Sequence, residues 1–174
     1  MKKNCSGCVA VLAFLLVFPL FLRRKWRVAR RVIIPATPAE VFPFINDMQN
    51  WPLWMEWTRR NSMEFKFGDK ISGTGAELHW ESKRLSGTAT IFKSAQDDHV
   101  AYEIVMDQFD FSIEAVLALE PMGGSTRVTW LCKWDSGANP YMRYADIVSK
   151  LILKNDFDAG LENLRKIASP ASRE

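Results

Sequence analysis

Tyr141-Met-Arg-Tyr-Ala-Asp-Ile-Val-Ser-Lys150-Leu-Ile-Leu-Lys-Asn-Asp-Phe-Asp-Ala-Gly160-Leu-Glu-Asn-Leu-Arg-Lys-Ile167 is the stretch that decides the fold. Tyr144, Ala145, Val148, Leu151, Ile152, Leu161 and Leu164 recur there at helical spacing, with Arg143, Lys150, Lys154, Asp158, Glu162 and Arg165 elsewhere on the wheel. The pattern predicts one long amphipathic helix. At about 1.5 Å per residue it reaches roughly 40 Å, and Gly137 with Asn139-Pro140 marks its start. A single long helix that follows a set of strands has to bury its apolar stripe on the sheet, so the space between sheet and helix becomes the place to look for function.

Upstream of that helix the chain reads as strands: 63–67, 76–81, 86–93, 100–106, 109–119 and 126–134. Turn signals separate them at Gly68-Asp69, Gly73-Thr74-Gly75, Ser82-Lys83, Gln96-Asp97-Asp98 and Pro121-Met122-Gly123-Gly124, the rhythm of an antiparallel meander. Alternation assigns a dry face to Ala76, Leu78 and Trp80, to Val100, Tyr102, Ile104 and Met106, to the odd positions from Phe109 to Leu119, and to Val128, Trp130, Cys132 and Trp134. Glu77, His79, Glu81, Glu103, Glu114, Arg127 and Lys133 fall on the wet face. Further upstream, 26–34 alternates as a first strand. Thr37, Pro38 and Glu40 then have capping-box spacing and open a short helix to about Ile45. Leu53-Trp-Met-Glu-Trp57 reads as a second short helical turn, and three tryptophans between 51 and 57 point to an apolar space that they close over.

The amino-terminal end differs in composition from the rest. Residues 1–31 carry eight Lys/Arg and no acid, which leaves 15 basic against 20 acidic residues in 32–174, a net of −5. A mildly acidic body argues against a nucleic-acid surface, which needs clustered Lys/Arg on the folded domain. Residues 5–22 hold no charge, and eighteen helical residues span about 27 Å, the short end of what crosses a bilayer. Arg23-Arg24-Lys25 follows where a cleaved signal would show a small-x-small site, so the run reads as an anchor. Six basic residues after it, against Lys2, Lys3 and the terminus before it, place the domain on the cytoplasmic side of an inner or plasma membrane. The expected organisation is an anchor with basic flank over 1–25, one domain over 26–168 and a tail over 169–174.

Little in the sequence carries reaction chemistry. Cys5-Ser-Gly-Cys8 has C-x-x-C spacing but no second pair and no neighbouring His, so no metal or redox cofactor is implied, and Cys132 reads as a small buried hydrophobe. His79 sits on the wet face and His99 in a turn, and no nucleophile-base set or phosphate loop can be assembled. Asp146 and Arg143, with Tyr102, are the polar groups an enzyme would draw on.

Ile34-Pro-Ala-Thr-Pro-Ala-Glu-Val-Phe42, Asp47 with Trp51 and Trp54, Gly73-Thr-Gly-Ala76 with Trp80, Gly87-Thr-Ala-Thr-Ile91, Gly124-Ser-Thr-Arg-Val-Thr-Trp130, and Asp156 with Gly160-Leu161 and Leu164 occur in that order. Over about residues 27–168 the chain thereby resembles the START-like (SRPBCC) helix-grip superfamily, in its polyketide cyclase/dehydrase and lipid-transport branch. The resemblance implies an α+β fold: a curved antiparallel sheet wrapped around a long C-terminal helix, with two short helices after the first strand. It also implies a cavity for an apolar or amphipathic small molecule, and it leaves catalysis open because the superfamily holds carriers and a minority of enzymes. The residues expected to line that cavity are Trp54, Trp57, Trp80, Tyr102 and Met106, together with Phe111, Trp130, Trp134, Tyr144 and Val148. Three functions follow as alternatives: membrane-anchored binding or transfer of a lipid-, isoprenoid- or polyketide-like molecule, a cyclase- or hydrolase-like enzyme acting on one, or a regulatory partner protein whose cavity is filled.

Overall fold

The computed structural model describes residues 13–14, 16–60, 63–83, 85–108 and 112–169. Its first strand, β1 (Lys25–Ile34), leads into three short helices, α1 (Pro38–Asn46), α2 (Trp51–Trp54) and α3 (Glu56–Arg60). Six strands follow, β2 (Glu64–Phe67), β3 (Glu77–Glu81), β4 (Ser86–Ala95), β5 (His99–Met106), β6 (Ser112–Met122) and β7 (Ser125–Asp135), and then the long helix α4 (Met142–Ala168). The sheet is antiparallel with order β1-β7-β6-β5-β4-β3-β2, so the six later strands form a meander and β1 closes against the last of them. The start of α1 is built as its sequence predicts: Thr37 N–H donates to Glu40 Oε2 at 2.8 Å, and Pro38 occupies the first turn, where its missing N–H costs nothing.

Pairing fixes the faces. Residues opposite each other in an antiparallel ladder share a side, so the row Val28–Cys132–Ala115–Tyr102–Ile91 and the row Trp26–Trp134–Ile113–Ile104–Ala89 lie on one surface, as alternation predicts. Val28, Cys132, Ala115, Tyr102 and Ile91 are all buried. The two tryptophans of α2 close over this surface from the end of the sheet. Trp51 Nε1 donates to Ile45 O and Trp54 Nε1 to Phe44 O, both at 3.0 Å, so carbonyls of the last turn of α1 are satisfied by the indoles that cap the core.

The helix α4 lies chiefly along β1, where Arg30 Nε sits 2.9 Å from Asp158 Oδ1. Only its second half buries an apolar stripe, through Phe157, Leu161 and Leu164. Here the structure departs from the single stripe read from sequence. At 3.6 residues per turn, Leu151 and Leu164 are thirteen residues apart and about 140° apart around the axis. Val148, Leu151 and Ile152 therefore point away from the sheet, 57%, 58% and 50% exposed.

Of the uncharged run 5–22, residues 5–12 and 15 fall outside the described residues. Residues 13–14 and 16–17 are helical, and the chain then tightens into a 3-10 turn over Phe18–Phe21, where Pro19 withholds the N–H that an α-helical ladder would use. Among the described residues no helix is long and apolar enough to cross a membrane.

Candidate ligand-binding site

The deep part of the space between sheet and α4 is filled. Trp130 stacks on Phe157 with ring centroids 3.9 Å apart and planes 4° from parallel, while Trp54 meets it edge-on at 5.2 Å. Its Nε1 donates to Tyr102 Oη at 2.8 Å, and Trp51 packs at 4.7 Å on the Tyr102 ring. Gly160 is what lets the helix come this close: a Cβ there would stand 3.1 Å from Trp130 Cζ3. Burial pushes the Tyr102 phenol well above its ordinary range and the Cys132 thiol up to about 12, so both stay neutral. Trp54, Tyr102 and Trp130 thus form a packed aromatic core. The cavity that the resemblance implies does not extend to them in this structure.

The dry face opens toward the next row. Trp26, Ile113 and Ile104 are only partly buried there, and Trp134 lies between Trp26 and Ile113 in register. Trp26 and Trp134 stack at 6.3 Å, 13° from parallel. Above them runs the first half of α4, which presents Asp146, Lys150 and the partly buried Leu153. Trp134 Nε1 donates to Asp146 Oδ1 at 2.7 Å, Ser136 Oγ donates to Oδ2, and Lys150 Nζ stands 5.2 Å from the centre of the Trp26 ring. The Trp26 indole N–H is different: it is buried, and among the described residues it finds no acceptor. A buried donor without a partner carries a desolvation penalty of about 1–3 kcal/mol. On the opposite, wet face of the same strand ends, Lys25, Arg27, Ser112, Glu114, Lys133 and Asp135 border an open hollow of about 470 Å³ that also reaches Trp26 and Trp134, and no residue of α4 lines it.

The other residues expected at the site are dispersed. Trp57 meets Trp80 edge-on at 5.1 Å at the β2–β3 end of the sheet, where Gly87 leaves room for the Trp80 ring to lie across β4; a Cβ at Gly87 would come within 2.6 Å of Trp80 Cζ2. Met106 pairs with Gly87 at the same end. Tyr144 turns instead to the amino-terminal segment, its ring 6.4 Å from Phe18, and Val148 faces outward. Phe111 lies outside the described residues. Trp26, Ile104, Ile113, Lys150 and Leu153 were not among the residues expected to line the site, although alternation puts Ile104 and Ile113 on the dry face. The only signal for Trp26 was its place in the alternation of β1, and its value depends on pairing with Trp134, about a hundred residues away.

The family profile described as polyketide cyclase / dehydrase and lipid transport matches residues 25–169. The chain belongs to this family. No curated protein sequence matches it. Among solved structures, that of the KanY protein superposes with a TM-score of 0.64 at 20% identity, covering 83% of this chain and 97% of the other. Ara h 8.0201 does so at 0.58 and 11%, covering 83% and 97%, and protein CV1439 from Chromobacterium violaceum at 0.58 and 12%, covering 84% and 98%. At such identities the likeness is one of fold. The polyketide cyclase / dehydrase and lipid transport family joins enzymes with carriers, so the polar groups of this member have to speak for themselves. Tyr102 Oη is engaged by Trp130 inside the filled core, and Asp146 by Trp134 and Ser136. Arg143 Nη1 donates to the carbonyls of Pro19, Leu20 and Leu22 at 2.8, 3.2 and 3.1 Å. The three do not converge on a common point where a reacting atom would sit. His79 is exposed on the wet face, its Nδ1 2.8 Å from Thr88 Oγ1, and His99, expected in a turn, is instead the first residue of β5 and pairs with Asp98 at 2.8 Å.

Proposed function

We propose that this member of the polyketide cyclase / dehydrase and lipid transport family binds or hands on a hydrophobic small molecule while tethered to a membrane by residues 5–22, its domain on the cytoplasmic side. The observation that carries the reading is the row Trp26–Trp134–Ile113–Ile104, in which Trp26, Ile113 and Ile104 flank the buried Trp134 and are only partly buried, with an unpaired indole N–H within it. An apolar bed with one free donor, and an ammonium at its margin, suits a molecule with an apolar body and an oxygen acceptor, as lipid-, isoprenoid- and polyketide-like compounds have. The tether draws its support from the uncharged length of the run and the basic residues that follow it.

The filled aromatic core favours a second reading, a regulatory or structural domain with no ligand at all. Native mass spectrometry of the detergent-extracted chain separates the two. A co-purifying small molecule is expected on the wild type, and Trp26→Phe, which removes one hydrogen bond worth about 0.5–1.5 kcal/mol, is expected to weaken its retention roughly two- to tenfold. A protein that emerges empty, and that does not bind the fluorescent probe anilinonaphthalene sulfonate, would favour the structural reading.

A further inference from the structure

The first half of α4 is amphipathic in reverse. The side turned to the body is charged: Arg143 holds the carbonyls of Pro19, Leu20 and Leu22, Asp146 receives Trp134 and Ser136, and Lys150 lies over Trp26. The side turned to solvent is apolar, with Ile147, Val148, Leu151 and Ile152 all exposed. The second half of the same helix has the usual sense, so the reversal is local. Soluble domains seldom present contiguous apolar surface of this kind unless something covers it.

Two features identify what covers it. The first is continuity. Beside the stripe lies the end of the uncharged run, where Leu16, Val17, Leu20 and Phe21 are also exposed. Stacking of Phe14 on Phe18 at 4.9 Å and of Phe18 on Tyr144 at 6.4 Å, with the three Arg143 hydrogen bonds, ties this segment to the first turn of α4. The second feature is charge. Between Met142 and Asn155 the helix carries a single carboxylate, Asp146, and that one is buried against the body. Lys154 flanks the stripe, and the chain leaves the neighbouring segment through Arg23, Arg24 and Lys25. An apolar face with basic margins and no outward acid is the make-up of a helix that lies in the interface of an anionic membrane.

We infer that the outward stripe Ile147-Val148-Leu151-Ile152 is a bilayer-contact surface, on which the first half of α4 lies along the lipid headgroup boundary. The inference rests on the tether proposed above and extends it: the domain is laid against the bilayer by α4 and does not hang free from a stalk. The open row around Trp26 and Trp134, beneath the same half-helix, is thereby brought to the membrane surface, where a hydrophobic ligand would enter or leave.

The test uses the full chain with Cys5→Ser and Cys8→Ser, Cys132 being buried and left in place. Single cysteines replace Leu16, Leu151 or Lys93, each exposed, and carry an environment-sensitive nitrobenzoxadiazole label. In vesicles of phosphatidylcholine and phosphatidylserine containing nitroxide-labelled lipid, the labels at 16 and 151 are expected to brighten and be quenched to a comparable degree, while that at 93 stays dim and unquenched. Quenching at 16 without quenching at 151 leaves the tether standing and overturns the contact surface. Loss of quenching at both positions removes the tether, and the contact surface with it. A label at 151 that brightens without lipid quenching, in protein that runs as a dimer, assigns the stripe to a second copy and overturns the inference.

Discussion

Replacing Gly160 by alanine is expected to destabilise the protein, against the direction that helix propensity alone gives. Gly160 lies within α4, eight residues before its end, where alanine ordinarily gains about 0.8–1.0 kcal/mol. The new Cβ, however, would stand 3.1 Å from Trp130 Cζ3, with the Trp54 carbonyl oxygen at 3.5 Å behind it. Relief requires the Trp130 ring to move by a few tenths of an ångström. It is held on one face by Phe157 at 3.9 Å, on its edge by Trp54 at 5.2 Å, and at Nε1 by the 2.8 Å hydrogen bond to Tyr102. Overpacking a site of this kind costs about 1–3 kcal/mol, so the net expectation is a loss of about 1 kcal/mol. For a domain of this size that is a melting temperature lower by about 2–4 °C. Thermal unfolding followed by near-UV circular dichroism in detergent measures it, and a Phe157→Leu background supplies a control. With the stacked ring gone, Trp130 has room to give, and the same substitution should become neutral or stabilising there. A rise in melting temperature for Gly160→Ala in the otherwise wild-type chain would refute the pinned ring.

Tyr102→Phe leaves Trp130 Nε1 buried without an acceptor and should cost about 1–3 kcal/mol in denaturant unfolding, whereas in a Trp130→Phe background the same change should cost far less; equal costs would mean that the hydrogen bond contributes nothing. Burial raises the Cys132 thiol from its ordinary value of about 9 to about 12, so its contribution to stability is complete below pH 9 and is lost as the pH climbs toward 12. In a Cys5→Ser, Cys8→Ser background the unfolding free energy from urea titrations should therefore fall between pH 8 and pH 10, by up to about 1.4 kcal/mol per pH unit above 9, and Cys132→Ala should remove that part of the slope; identical slopes in the two proteins would exclude the thiol as its source.

The strand faces were legible because period-two alternation survives any error in where a strand begins. Leu78, Tyr102, Leu117 and Trp130 were placed together by that rule alone, and they do share the buried side. What alternation does not supply is reach. The Tyr102–Trp130 hydrogen bond crosses β6, over the small Ala115 that pairs with Tyr102 in register, and nothing local to either residue announces it. The long helix was legible in extent and misread in orientation, for a geometric reason. Apolar residues at 148, 151 and 152 and at 161 and 164 each obey helical spacing, but the polar gap between them lets the two sets differ by close to half a turn. The alternation of charge that accompanies the change, Arg143, Asp146 and Lys150 on the buried side, was visible as residues without being visible as a face. The candidate site followed the same division. Trp134 was found because it alternates with Trp130, and Trp26 was not, because its worth lies in pairing with a strand at the other end of the chain.

That pairing governs how the protein is made. Lys25 lies opposite Asp135 and Ile34 opposite Thr126, so β1 has no partner until β7 has left the ribosome. At about 5–20 residues per second, the intervening hundred or so residues occupy on the order of ten seconds, during which a nascent strand waits with both edges open. Strands in that position invite association with other chains, and β1 answers with its composition: Lys25, Arg27, Arg30 and Arg31 give four cations in ten residues. Mutual repulsion between nascent chains keeps such a strand single. These cations thus act as a kinetic guard, holding β1 for a partner that the chain has yet to synthesise.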